Sequence, residues 1–440
     1  MAGFLRKTRY TLRGGFLLRP VFIAVMLGII GAVLSQIEEW MPSMNAWVPT
    51  MLFPSKSDPA VAQLILSTIA SAMMTVVSIV FAVLLMTLTL ASSQFSPRII
   101  ITFTEDKVTQ TTLGIFIGTF GYCIAALPAA RSVPHPFAPV LTVTGAMVLA
   151  FICSCALVYF INHISEAISA NHIVAKLARQ TELMIEKTLP YKRGQNMMSN
   201  PPISSTPFIY QAPVLSIVSG YIRYIDSVRL FDLAKFHQLH VQVMRRVGHY
   251  VPVGVPLFIL SSNNRIPENI HQEFRAAFEF GPTRTIQQDI EFGILQIVDI
   301  ALKAISPAVN DPSTAINCID QLSAILIHYA SRNPPEEVLS DADGKVVVSI
   351  PYLDFERLVD SAFEQIRMYS RTDVAVSLRM FRALGDIAHT VPDKASRMVL
   401  VQKGRRILAS CEKNLEENEI IEMKTRMDAL EVFAQKGIDT

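Results

Sequence analysis

This chain is short of charge. Only 17% of its 440 residues are Asp, Glu, Lys or Arg, whereas 51% are hydrophobic. That balance is too apolar for an ordinary water-soluble protein and too charged for a chain immersed wholly in lipid. The 39 basic and 37 acidic side chains nearly cancel, leaving +2 with His neutral. With no dense Lys/Arg cluster, nucleic acid is excluded as an expected partner. Cysteine is scarce as well. Cys123, Cys153, Cys155, Cys318 and Cys411 form no CxxC pair, and the first three lie within apolar runs. Neither a disulfide framework nor a zinc site is expected, and a reducing compartment suits the C-terminal part. The chain also lacks a P-loop, a dinucleotide GxGxxG, an HExxH and a GxSxG elbow. His237 and His240 stand three apart in "FHQLHVQV" with no third ligand nearby, and read as histidines of a solvated turn. No enzymatic activity, cofactor or metal is expected.

What the chain does have is long apolar runs, nearly all of them before residue 170. A helix needs roughly 20 apolar residues to cross a bilayer. Four stretches qualify, at 16–36, 60–93, 111–130 and 138–161. The first reads as a retained anchor, because Gly31-Ala32-Val33 runs on into further apolar sequence rather than a cleavage site. Arg6, Lys7, Arg9 and Arg13 precede the first span; Arg98 and Lys107 lie between the second and third; Lys176 and Arg179 follow the fourth. The other two loops hold Lys56 and Arg131 against Glu38, Glu39 and Asp58. The basic flanks fall on one side, which places both termini in the cytoplasm.

The second span is unusual. Ala60 to Ser92 contains no charged residue, yet hydroxyls recur along it. As one helix it would run about 50 Å, against a hydrocarbon core of about 30 Å. Ser67, Ser71, Thr75 and Ser78, continued by Ala82, Thr89 and Ser93, share one narrow helical face. Two readings compete. The small residues let helices approach closely, with hydroxyls bonded back to the i−4 carbonyl. Alternatively, the stripe lines a hydrated pathway, with Met86 as an apolar constriction that gates by dewetting. In the third span, Gly114, Gly118 and Gly121 form a close-packing face of the small-xxx-small kind. In the fourth, Tyr159 suits an interfacial belt, and His163 and Glu166 share a helix face as an interfacial polar cluster. His172 lies too far round the helix to join them.

Three stretches carry a family resemblance: "LLMTLTLASSQFSPRIITFTEDKVTQTTLGIFIGTFGYC", "YFINHI" and "RTIQQDIEFGILQIVDIALKAISPAVNDPSTAINCIDQL". Together they resemble the bacterial predicted membrane proteins catalogued as domain of unknown function 2254, from about residue 10 to 415. The resemblance implies a multi-span inner-membrane part and a cytoplasmic part. It implies no activity.

After residue 170 charge returns to globular density. Residues 171–205 read as a helical linker continuing the last span. Residues 206–265 alternate apolar and polar between Gly and Pro, as short strands do. "VGHYVPVGVPLFIL" resembles a small barrel-sandwich of the biotinyl/lipoyl type, without the carrier lysine at the hairpin tip. Residues 266–440 read as a helical module with a short β hairpin at "DADGKVVVSI". Asp311 suits a helix N-cap and Pro312 the first helical position, while Asn310 and Asp311 also sit well for a subunit contact or ligand pocket. The expected fold is a membrane α-helical domain over 1–170, followed by a cytoplasmic α+β domain.

Four spans without internal duplication suit a symmetric homo-oligomer better than a monomeric inverted-repeat transporter. The leading expectation is a multi-pass channel of the bacterial inner membrane, a trimer or higher, surrounded by lipid and passing small ions, monovalent cations above all, with the cytoplasmic domain for assembly and gating. Its pore would be lined by Ser67, Ser71, Thr75, Ser78, Thr89 and Ser93. Glu38 and Glu39 would concentrate cations at the outer mouth. Gln94, Arg98, Asn162 and His163 would be the polar groups of the inner mouth, with Arg98 opposing cations if it faces the pathway. The alternatives are a membrane-anchored sensor or scaffold and a secondary transporter. The lack of ionisable residues inside the spans counts against proton coupling in the latter.

Overall fold

In the computed structural model, the described residues are 18–41, 43, 58–94, 106–133, 136–167, 169–189, 191, 208–334, 337–341 and 347–436. They divide into two units, 1–169 and 170–440. The first contains α1 (Leu18–Trp40), α2 (Pro59–Gln94), α3 (Lys107–Ala126, followed by a 3-10 turn at Leu127–Ala129) and α4 (Val140–Ala167). Each is long and apolar enough to cross a membrane. Side-chain caps fix where two of them start. Asp58 accepts from the Ala60 amide (2.9 Å), just ahead of Pro59 at the head of α2, and Asp106 caps α3 by accepting from Thr109 N (2.8 Å).

α3 is the most enclosed span and packs on α1, α2 and α4. Its glycines explain the closeness of α1. A Cβ at Gly114 would lie 2.9 Å from Ile23 Cδ1 and 3.0 Å from the Pro20 Cα, and one at Gly118 2.5 Å from Leu27 Cδ1. Hydrocarbon solvent offers no hydrophobic drive between helices, so backbone proximity and dispersion carry this contact. α2 inserts Ala62, Leu66 and Ala70 into a cluster with Tyr122, Cys123 and Val143, and Met73, Val77 and Val80 into a second with Phe116 and Phe160.

The second unit opens with α5 (Ala170–Thr188). The helical linker expected over 171–205 begins with this helix, and residues 190 and 192–205 lie outside the described residues. α4 ends at Ala167, and α5 buries Ile173, Val174, Leu177, Thr181 and Ile185 against helices of its own unit, so it is core. Next come β1 (Tyr210–Leu215), β2 (Gly220–Ile225), α6 (Ser227–His237), β3 (His240–Val243), β4 (Tyr250–Val251) and β5 (Pro256–Ser262). α7 (His271–Arg275) and β6 (Phe278–Gly281) precede α8 (Ile290–Ala304) and α9 (Pro312–Ala330), the two helices that α5 packs on. β7 (Val338–Ser340) and β8 (Val347–Ser349) lead into α10 (Phe355–Tyr369), α11 (Val374–Thr390), α12 (Lys394–Cys411) and α13 (Glu417–Lys436).

The strands form two sheets, ordered β1-β5-β3-β8-β7 and β4-β2-β6. Their membership crosses the expected 206–265 boundary. β6 completes the smaller sheet, and β8 joins β3 in parallel through Val241↔Val348 and Gln242↔Ser349. Val348 buries fully among Val214, Ile222, Phe258 and Phe274, so apolar burial recruits the late hairpin to the early strands. Among the described residues of this unit, no helix is long and apolar enough to cross a membrane.

Candidate functional site

The burial pattern of α2 decides which of its faces is available. Ala62, Leu66, Ala70, Met73, Val77 and Val80 are buried, whereas Ser67, Ser71, Thr75, Ser78 and Thr89 are all exposed. At about 100° per residue the two sets lie roughly 150° apart. The hydroxyl stripe therefore points away from its own bundle. Most of its hydroxyls bond within the helix: Ser67 to Leu64 O (3.0 Å), Thr75 to Ser71 O (3.1 Å), Ser78 to Met74 O (2.9 Å) and Thr89 to Leu85 O (2.8 Å). Met86 is 72% exposed near one end of the face. The side chains of Ser93 and Gln94 and all of Arg98 lie outside the described residues.

Where α1 ends and α4 begins, the expected outer-mouth charges are corrected. Glu38 is fully buried. It accepts from the amides of Leu141 (2.8 Å) and Thr142 (2.9 Å) and from the Thr142 hydroxyl (2.9 Å). A carboxylate there satisfies orphan donors of the first turn of α4 and meets the positive end of its dipole. Glu39 is paired with Arg131. Tyr122 donates to Thr142 O (2.9 Å) and Gln63 to Ala130 O, so α1 to α4 are all tied at this end. Glu38 presents no free charge to solvent because the fold uses it to hold α1 to α4. Thr142 and Tyr122 had no signal in the linear chain and Arg131 counted there only as a loop charge, since their partners lie 20 to 104 residues away.

At the other end of the bundle, His163 Nε2 lies 2.9 Å from Asp106 Oδ2, the cap of α3. Burial pushes the Asp106 pKa up, but the hydroxyl and amide of Thr109 and the neighbouring His163 hold it below the ordinary carboxylate value. Glu166 accepts from Asn162 (3.0 Å) instead of joining His163, whose ring stacks on Tyr159. Among the described residues, no group of three His, Cys, Asp or Glu side chains is arranged to hold a metal.

In the second unit, Asn310 and Asp311 link α8 to α9. Asn310 adopts φ +50 and donates its amide to Ser306 O (2.9 Å), while Asp311 caps α9 by accepting from Thr314 N (3.1 Å). His237 faces Glu273 (3.3 Å) and His240 packs on Phe208. Sequence reasoning missed the main ionic cluster here. Glu291, nearly buried on α8, meets Arg284 (2.9 Å), Arg246 (3.1 Å) and Arg357 (3.6 Å) and accepts from the Ser361 hydroxyl (3.1 Å). Arg284 also grips Asp289 through two bonds (2.7 and 2.9 Å). Burial raises the Glu291 pKa, but Arg246 and Arg284 outweigh it and hold the carboxyl below its ordinary range.

A single family match reaches into both units and ends within the second. Residues 13–386 match the family described as "Predicted membrane protein (DUF2254)". Uncharacterized proteins of Mycobacterium bovis and Mycobacterium tuberculosis are 32% identical over 399 residues, covering 89% of this chain and 75% of theirs. No solved structure matches the chain. With its four apolar helices and a match over residues 13–386, the chain belongs to the predicted membrane protein family of domain of unknown function 2254.

Proposed function

We propose that this chain assembles into a homo-oligomeric ion channel of the bacterial inner membrane, with α2 facing the symmetry axis. The second unit would then be a cytoplasmic assembly and gating domain, the side favoured by the Lys/Arg flanks. The observation that carries this reading is the outward hydroxyl face of α2: the apolar edge is used inside the chain, leaving Ser67, Ser71, Thr75, Ser78 and Thr89 for a neighbour or for water. With Glu38 buried and Glu39 paired, neither supports the expected preference for monovalent cations, and the proposal carries no ion sign. The function requires no catalysis or cofactor.

The test is ion flux through purified protein in liposomes under a KCl gradient, with the reversal potential reading the sign. Ser71→Leu and Thr75→Leu should cut the current at least tenfold while leaving the oligomer intact. Oligomers that pass no current at any voltage or pH would sink the proposal. One observation favours the runner-up, a membrane-anchored scaffold or sensor: hydroxyls bonded to their own helix need no water, and such a face packs equally well against a dry partner.

A further inference from the structure

The second unit forms a cavity of about 50 Å³, open on one side, where the end of α5, β2, the β3–β4 turn, the start of α8 and residues 350–353 meet. One water needs only about 10–15 Å³ by this measure. Leu189, Ile225, Val247, Ile290 and Ile350 make its walls largely apolar. Several of its polar side chains are already engaged. The Gln288 amide accepts from Ile225 N (2.8 Å) and donates to Ile225 O (3.3 Å). Asp289 is held by Arg284 and accepts from Phe292 N (3.0 Å), and the Tyr329 hydroxyl donates to Leu353 O (2.8 Å).

Arg246 is different. It is the cation of the wall, and one of its five N–H donors meets Glu291. Three guanidiniums, Arg246, Arg284 and Arg357, face the two carboxylates of Asp289 and Glu291, and exposed Arg245 adds to the excess. Burial lowers the pKa of nearby His249, and Arg246, Arg245 and Arg284 lower it further against the raising effect of Glu291. A pocket with an apolar body and surplus cationic donors selects a ligand with the complementary halves.

We propose that this cavity binds a small amphiphilic anion, a short-chain monocarboxylate. Its carboxylate pairs with Arg246 and its hydrocarbon lies on Ile225, Ile290 and Ile350. The inference stands independently of ion conduction.

Isothermal titration of the full chain in nonionic detergent at pH 7, against a detergent blank, tests it with butanoate, 1-butanol and inorganic phosphate as probes. Butanoate should bind saturably, with 1-butanol and phosphate at least tenfold weaker. Arg246→Gln should weaken butanoate at least tenfold; Glu291 keeps Arg284 and Ser361 in that variant, and an unchanged melting midpoint checks the fold. Val247→Phe, which fills the cavity without touching the charges, should abolish binding. The proposal is overturned by a folded protein that binds no butanoate, by butanoate affinity indifferent to Arg246→Gln or Val247→Phe, by phosphate binding as tightly (a plain anion site), or by 1-butanol doing so (an apolar void).

Discussion

Glu38 in the first unit and Glu291 in the second are both buried carboxylates, yet they are stabilised by different means. Glu38 is met by two backbone amides and a hydroxyl at the head of α4. Glu291 is met by three arginines and a hydroxyl. The difference follows from what surrounds each. The first unit is built from helices with almost no Lys or Arg, so the spare donors of a helix end are the strongest positive groups at hand. The second has ordinary charge density, and guanidinium forks reach its interior. Hydroxyls differ in the same way: on α2 they bond back into their own helix, whereas Ser361 and Ser377 bond to other segments of the second unit.

The comparison predicts its own largest break. Glu38→Ala should cost about 3 kcal/mol, combining a lost cap with buried donors left unpaired. Denaturation of the full chain in detergent measures this, and Glu38→Gln, which keeps an acceptor, should recover more than half. Equal losses for the two variants would mean that the charge, not the acceptor, holds α4.

A second break lies in the α1–α3 seam. Gly118→Leu should cost about 2 kcal/mol, since Leu27 and the Ile23 carbonyl occupy the space a side chain would need. The same denaturation assay reads it, and Gly385→Leu in α11, where a Cβ meets nothing within 4 Å, serves as the neutral control.

The ionic style of the second unit predicts a pH dependence. The Arg367 guanidinium, with help from Lys403 and against burial, holds the Glu364 pKa down to about 2 from 4.5. A carboxyl whose folded pKa is depressed contributes its full stability above about pH 4.5 and loses it as pH falls towards 2. Stability should therefore drop across that window, by about 2 kcal/mol from this group once solvent screening of a part-exposed pair is discounted, and Glu364→Gln should flatten the drop. An unchanged slope would show that the pairs with Arg367 and Lys403 are worth little.

The smallest effect belongs to the α8–α9 link. Asp311→Ala should cost about 1 kcal/mol, the value of an N-cap, with Asp311→Asn nearly neutral. A loss of ligand affinity or subunit assembly without loss of stability would instead give this loop the binding role its sequence also allows.

Much of the first unit was legible in the chain, because a helix that satisfies its own backbone needs only a sufficient apolar run. The four spans, the Gly114–Gly118–Gly121 seam and the coherence of the α2 stripe all follow from spacing. The Asp311 cap was equally readable, since its partner Thr314 is three residues away. What could not be read were relations between distant segments. Local charge counting placed Glu38 and Glu39 at a free mouth, but their partners at 141–142 and 131 come together only when α1, α3 and α4 pack. The α5 segment resembled a continuation of the fourth span, and only its burial against α8 and α9 makes it core. The late hairpin's place beside β3 follows from where Val348 finds apolar neighbours.

By itself, then, the sequence determined that four helices could cross a membrane and which residues share a face on each, because both properties repeat along one chain axis. Only the tertiary structure decided that the hydroxyl face of α2 points outward and that Glu38 is a buried cap. It also decided that Arg246 borders an apolar cavity. Burial and ion pairing belong to the space between segments, and no local pattern encodes it.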